Sequence, residues 1–89
     1  MARSSRLPPL NALRAFEAAA RLESFARAAD ELAVTPGAIS QQIRSLEEHV
    51  GAPLFVREGR GLSLTEAGRA AANVASDAFE TLERAVSLM

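Results

Sequence analysis

The 89-residue sequence contains no cysteine, which excludes a disulfide framework, a thiolate metal site and a cysteine nucleophile. It has no apolar run near the roughly 18 residues that a membrane helix needs. Its N-terminus also lacks the apolar core of a signal peptide. We therefore expect a cytoplasmic protein with no membrane partner.

The sequence also lacks a basic excess. Its net charge is −1 and its pI is about 5.8, whereas DNA-binding domains are commonly basic. The charge is uneven: residues 1–70 carry nine arginines and eight acidic residues, and residues 71–89 carry one arginine and three acidic residues. All ten basic residues are arginine, which suits bidentate contacts to phosphate or bases. We expect weak non-specific affinity for nucleic acid.

Alanine and leucine dominate a composition that is 48% hydrophobic, which favours one small helical domain. Residues 1–9 form a polar arm with Arg3 and Arg6, which either follows a phosphate backbone or is a disordered terminus. The periodicity then predicts a first helix over residues 10–22. Its core face is predicted to hold Leu10, Leu13, Phe16 and Ala20.

Residues 24–50 contain two short helical patterns separated by about three residues. Ser24 is a good N-cap for the first helix, and Thr35 followed by Pro36 is a better one for the second. Two helices joined so closely predict a helix-turn-helix. Their predicted core positions are Phe25, Ala28, Ala29, Leu32, Ile39, Ile43, Leu46 and Val50.

The outer face of the second helix carries Gly37, Ser40, Gln41 and Arg44. A helix in the major groove needs small residues for close approach, an amide that matches adenine, and an arginine for phosphate or guanine. The same face could be an ordinary solvated helix surface. The rest of the chain favours recognition of DNA.

A turn and a hairpin follow. Gly51 and then Pro53 end the second helix. Two strand-like runs within residues 54–64 enclose a glycine-flanked turn, and Arg60 lies at its tip. Such a hairpin is predicted to be a wing whose arginine reaches a narrow minor groove, although a plain loop with a solvated arginine is the alternative.

Residues 65–89 are predicted to form a long helix of about 35 Å with Thr65 as its cap. An apolar face runs along it with no chain left to cover it, so we expect a homodimer. The predicted interface consists of Ala71, Ala75, Ala78, Phe79, Leu82, Val86 and Met89.

The runs SFARAADELAVTPGAISQQIRSLE, LFVR and LTEAG resemble the N-terminal DNA-binding domain of LysR-type transcriptional regulators. The opening RLPPLNALRAFEAAAR is similar to the branch with regulators of glycine cleavage and β-lactamase induction. The resemblance covers residues 6–68 densely. It implies an all-α fold with a small β-hairpin: a winged helix-turn-helix over residues 10–64 and a linker helix over residues 65–89. It also implies a nucleoid-associated dimer that binds an interrupted, often A·T-rich dyad.

Carried over by position, the resemblance implies two sets of contacts to double-stranded DNA. The base-reading set is Pro36, Gly37, Ser40, Gln41 and Arg60. The phosphate set is Ser24, Arg27, Thr35, Arg44, Arg57, Ser63 and Thr65. Gln41 stands where relatives commonly have arginine or histidine, which shifts the expected preference towards adenine. Pro36 and Ala26 also replace common polar residues, so the target site cannot be transferred from relatives.

Full-length relatives continue into a domain that senses a small molecule, and we expect no effector site within these 89 residues. The chain is expected to be either a fragment or a stand-alone version. A winged-helix interaction module that does not read DNA is the competing function, since the charge is nearly neutral. An enzyme is the weakest reading, because His49 is the only histidine and no nucleophile or cofactor loop accompanies it.

Overall fold

The computed structural model describes residues 7–59 and 61–89. Arg3, Arg6 and Arg60 therefore lie outside the described residues. Within them the chain forms four helices and one antiparallel hairpin, which confirms the predicted fold class. The elements are α1 (Leu10–Leu22), α2 (Phe25–Leu32), α3 (Pro36–Val50), β1 (Phe55–Glu58), β2 (Gly61–Leu64) and α4 (Glu66–Ser87).

Three hydroxyl caps set the starts of α2, α3 and α4. Ser24, Thr35 and Thr65 each accept a hydrogen bond from the backbone N–H three residues later, at 3.0–3.1 Å. Each cap satisfies one of the N–H groups that a helix start leaves unpaired. Gly51 ends α3 with φ = 78°, a left-handed conformation that glycine adopts without steric cost. These local signals were predicted from the sequence, and the structure confirms them.

Two other helix ends carry no such signal. Glu23 ends α1 with φ = 54°, and Ala33 ends α2 with φ = 60°. Both are non-glycine residues in the left-handed region, where the Cβ atom is crowded. Ala33 begins the short turn between α2 and α3, so this turn includes a strained residue.

The core centres on the alanine-rich side of α1. Small side chains there let α2 and α3 approach closely and bury Ile39 and Ile43. Two predicted core positions were wrong: Leu10, at the start of α1, is 58% exposed, and Val50, at the end of α3, is 51% exposed. The buried positions of α1 are Ala12, Ala15, Phe16, Glu17, Ala18, Ala19 and Ala20.

The hairpin is fixed to the helices by aromatic and polar contacts. The Phe55 ring lies edge-on to both Phe16 and Phe25, with centroids 5.7 and 5.4 Å apart. A carboxylate oxygen of Glu47 in α3 accepts the backbone N–H of Leu54 at 2.8 Å. The wing is therefore anchored at its base to α1, α2 and α3.

The first turn of α4 packs directly on the base of the wing. The backbone N–H of Thr65 donates to the Leu54 carbonyl oxygen at 3.0 Å, and its hydroxyl donates to the Pro53 carbonyl oxygen at 2.8 Å. Gly68 is buried there, and a Cβ atom at this position would overlap the Leu54 carbonyl oxygen and lie 2.9 Å from Leu64 Cδ2. The glycine is therefore required by close packing.

One expectation about α4 was wrong. Its apolar face was predicted to lie in water in a single chain, but Phe79 is only 9% exposed because α1 covers it. The Arg14 guanidinium lies over the Phe79 ring, 5.1 Å from the centroid. Leu82 and Val86, at 47% and 65% exposed, are left open. Across residues 7–59 and 61–89, no helix combines the length and hydrophobicity needed to cross a membrane.

Candidate nucleic-acid interface

The polar face of α3 lies opposite its core face. Ile39 and Ile43 are buried, whereas Gly37, Gln41 and Arg44 are exposed. Pro36 is also exposed at the first position of the helix. The space beside Gly37 is open: a Cβ atom there would find no heavy atom nearer than 3.9 Å. The helix therefore presents a narrow protruding ridge with an amide and a guanidinium at successive turns.

Ser40 differs from its neighbours because it is half-buried. Arg57 Nη2, from strand β1, donates to Ser40 Oγ at 3.3 Å. The same guanidinium lies over the Phe25 ring, 4.8 Å from its centroid, in cation–π geometry. The structure thus joins α2, α3 and the wing through one side chain. Phe25 was predicted only as a core residue, and no local pattern in the sequence indicates its contact with Arg57.

The three capping hydroxyls are not equivalent towards an anion. Ser24 and Thr35 accept hydrogen bonds through oxygen, so each cap bond leaves the hydroxyl proton available. Thr65 both accepts from Gly68 and donates to the Pro53 carbonyl oxygen. Its proton is already donated in that bond, so Thr65 is better suited to holding the start of α4 against Pro53 than to the predicted phosphate contact.

The remaining predicted phosphate residues are at the surface. Arg27 is exposed in the first turn of α2, and Ser63 is exposed on β2, paired with Val56. Arg44 is exposed on α3. Arg60, the predicted tip residue of the wing, lies outside the described residues.

An ion network at the protein surface links α1 and α2, and only its Glu17 carboxylate is buried. Arg21 donates to both carboxylate oxygens of Glu17 at 2.9 and 3.3 Å, and to both of Glu31. These bonds from Arg21 lower the pKa of the Glu31 carboxyl below its ordinary value. The network links α1 to α2, and the four-residue spacing of Glu17 and Arg21 could have indicated its first half.

A second surface is apolar. A groove lies between α1 and α4, with Leu10 and Leu13 on one wall and Val74 and Leu82 on the other. Its remaining lining residues are Ala67, Ala70, Ala71, Ala75, Ala78 and Phe79. Among the described residues, no group of three or more histidine, cysteine, aspartate or glutamate side chains could hold a metal ion.

The chain is similar in sequence to a known protein family and to several characterised proteins. Residues 10–69 match the family described as bacterial regulatory helix-turn-helix protein, lysR family. The chain is 57% identical over 76 residues, 85% of its length, to the HTH-type transcriptional regulator TrpI of Pseudomonas aeruginosa. It is 62% identical over 66 residues, 74% of its length, to the glycine cleavage system transcriptional activator of Escherichia coli K12. It covers 26% and 22% of these relatives.

Solved structures of DNA-binding domains have the same fold as this chain. The BenM_DBD/catB site 1 DNA complex matches with a TM-score of 0.84 and 32% identity, covering 91% of this chain and 90% of that one. The CbnR_DBD-DNA complex matches with a TM-score of 0.79 and 32% identity, covering 90% and 92%. The relatives named are transcriptional regulators, in agreement with the expectation that the chain is not an enzyme. With two thirds of its length matching the family, the chain belongs to the bacterial regulatory helix-turn-helix proteins of the lysR family.

Proposed function

We propose that this chain binds double-stranded DNA sequence-specifically as a homodimer and serves as the DNA-binding part of a transcriptional regulator. Residues 10–64 are the winged helix-turn-helix, and residues 65–89 are the linker and dimerisation helix. The observation that carries the proposal is the exposed ridge of α3, in which Gly37, Gln41 and Arg44 project opposite a buried apolar face. Its relatives in solved structures include domains in complex with DNA.

In this proposal α3 enters the major groove. The absence of a side chain at Gly37 allows close approach, and the Gln41 amide reads adenine through its paired donor and acceptor. Pro36 packs against the groove edge, and Ser40 lies beside Gln41. The wing of residues 54–64 follows the adjacent minor groove, where Arg60 favours the narrow groove of A·T-rich DNA.

Phosphate contacts hold α3 in register. The hydroxyl protons of Ser24 and Thr35 are available at two helix N-termini, where the helix dipole favours an anion. Arg27 on α2 and Arg44 on α3 are exposed and supply positive charge. Ser63 on β2 is a further candidate on the wing. These contacts position the protein and carry no base information themselves.

The homodimer in this proposal forms through the groove between α1 and α4. Three large apolar residues of α4 are exposed to solvent: Val74 at 69%, Leu82 at 47% and Val86 at 65%. Exposed apolar surface of this kind is typical of an interaction site. The alanines at 71, 75 and 78 would let a second copy approach closely, and Met89 extends the surface. Twofold symmetry would present two copies of α3 to half-sites one helical turn, or a multiple of it, apart.

Selection of bound duplexes from a random pool tests the base-reading assignment. We expect an interrupted dyad, and Gln41→Ala should cost about 1–3 kcal/mol of binding free energy on that site and flatten the preference at one position. Arg27→Ala serves as the control, because loss of a phosphate contact should weaken all duplexes alike. If Gln41→Ala also weakens all duplexes alike, Gln41 is only a backbone contact.

The second candidate is an interaction module that docks on a protein and does not read DNA. The net charge of −1 favours it, because phosphate neutralisation normally supplies most non-specific affinity. In that case the random pool would yield no enriched sequence.

A further inference from the structure

The guanidinium of Arg57 is held from two sides. Its Nη2 donates to Ser40 Oγ at 3.3 Å, and its Cζ lies 4.8 Å from the centroid of Phe25. The Phe25 ring is itself braced edge-on by Phe55. The fold therefore places Arg57 next to the hydroxyl of Ser40, a half-buried residue beside the exposed ridge of α3.

We propose that Arg57 is a specificity-determining positioning residue: it fixes Ser40 as a hydrogen-bond donor, so that Ser40 selects a base edge that carries an acceptor. This inference rests on the proposed function. It assigns Arg57 a role different from the simple phosphate contact predicted from the sequence.

The bond to Arg57 restricts the hydrogen bonds that Ser40 can make to DNA. A guanidinium has only donors, so Ser40 Oγ must be the acceptor in its bond with Arg57. The Ser40 hydroxyl proton then points away from Arg57. A second donor approaching Oγ would also meet the positive charge of the guanidinium. Towards DNA, Ser40 therefore acts as a hydrogen-bond donor through its single hydroxyl proton.

This polarity has a consequence for sequence. In the major groove guanine offers N7 and O6, adenine offers N7 and thymine offers O4, all of which are acceptors. Cytosine offers only its amino group, which is a donor. Ser40 should therefore reject cytosine at the base it faces and tolerate the other three. The Gln41 amide carries both a donor and an acceptor, so it has no such restriction.

Base-preference profiles of the full chain and four variants test the inference. Wild type should disfavour cytosine about tenfold at one position, within the range for a single base contact. Ser40→Ala and Arg57→Met should each reduce the discrimination against cytosine to less than twofold. The double variant should show no further reduction. Arg44→Met is the matched control: it removes one arginine charge, as Arg57→Met does, but from α3, and it should keep the rejection of cytosine.

A measurement without DNA tests the bond itself. Unfolding of wild type, Ser40→Ala, Arg57→Met and the double variant forms a thermodynamic cycle. A hydrogen bond between the two side chains should appear as a non-additivity of about fivefold in the unfolding equilibrium constant. Alanine has a higher helix propensity than serine, so Ser40→Ala should fold and supply one arm of the cycle.

The outcomes separate the two proposals. A wild-type chain that enriches no duplex overturns the proposed function and this inference with it. Sequence-specific binding with cytosine still rejected by Arg57→Met, or strictly additive unfolding free energies, overturns the inference alone. A uniform loss of affinity in Arg57→Met, with an unchanged profile, would make Arg57 an ordinary phosphate contact.

Discussion

Substitution of Gly68 by alanine tests the packing of α4 against the wing. Gly68 lies in the first part of α4, and helix propensity alone predicts that alanine stabilises the protein by about 1 kcal/mol. The structure predicts the opposite, because the new Cβ atom would overlap the Leu54 carbonyl oxygen and crowd Leu64. The chain can relieve this overlap only by moving α4 away from the base of the wing.

The magnitude follows from the contacts at this junction. Moving α4 weakens the hydrogen bonds from Thr65 to the Leu54 and Pro53 carbonyl oxygens, each worth about 1 kcal/mol. Overpacking in a filled core costs a further 1–3 kcal/mol or so. After subtraction of the propensity gain, we expect Gly68→Ala to lower the free energy of unfolding by at least about 2 kcal/mol. For a domain of this size the melting temperature should fall by roughly 10 °C.

Thermal and urea unfolding monitored by circular dichroism measure the effect. Gly37→Ala is the matched control: the same change in another helix, at a position with open space. Without a clash to oppose helix propensity, it should leave the melting temperature unchanged or raise it by up to several degrees, and it should reduce affinity for DNA by blocking close approach. A Gly68→Ala protein as stable as wild type would refute the argument from close packing.

Three further predictions concern other parts of the fold. Because the bonds from Arg21 lower the pKa of Glu31, this carboxylate contributes stability above its unfolded pKa and loses it as the pH falls through the folded value. Glu31→Gln should therefore reduce the free energy of unfolding at pH 7 and make little difference at low pH, measured by urea titration at each pH. Ala33→Gly should raise the melting temperature slightly, since it relieves a left-handed alanine at φ = 60°; a lower melting temperature would contradict the strain. Phe79→Ala should destabilise each chain by about 3 kcal/mol, whereas Leu82→Ala should mainly weaken association in sedimentation; equal effects of both would contradict the division of α4 into a covered and an open face.

The helix starts could be predicted from the sequence because cap chemistry is local. Ser24, Thr35 and Thr65 each act on a backbone group three residues away, and Gly51 acts on its own φ angle. The left-handed caps at Glu23 and Ala33 could not be predicted, since neither residue type favours that conformation.

The exposed ridge of α3 was predicted because periodicity places Ile39 and Ile43 on the opposite side. The bond between Arg57 and Ser40 joins residues 17 positions apart, and only the folded wing brings them together. The cover on Phe79 was missed for a related reason. The periodic pattern identified an apolar face of α4 but did not show that α1 would pack over part of it.

The most direct test of DNA recognition is the salt dependence of duplex binding. If Arg27 and Arg44 of both chains in a dimer neutralise phosphates, four counterions are released, and the log–log slope should be roughly −4. Engagement of Arg60 in both wings would make it about −5. The account predicts saturable binding to a selected dyad with such a slope. A slope near zero, or no preference for the selected dyad over random duplex at any salt concentration, would contradict it.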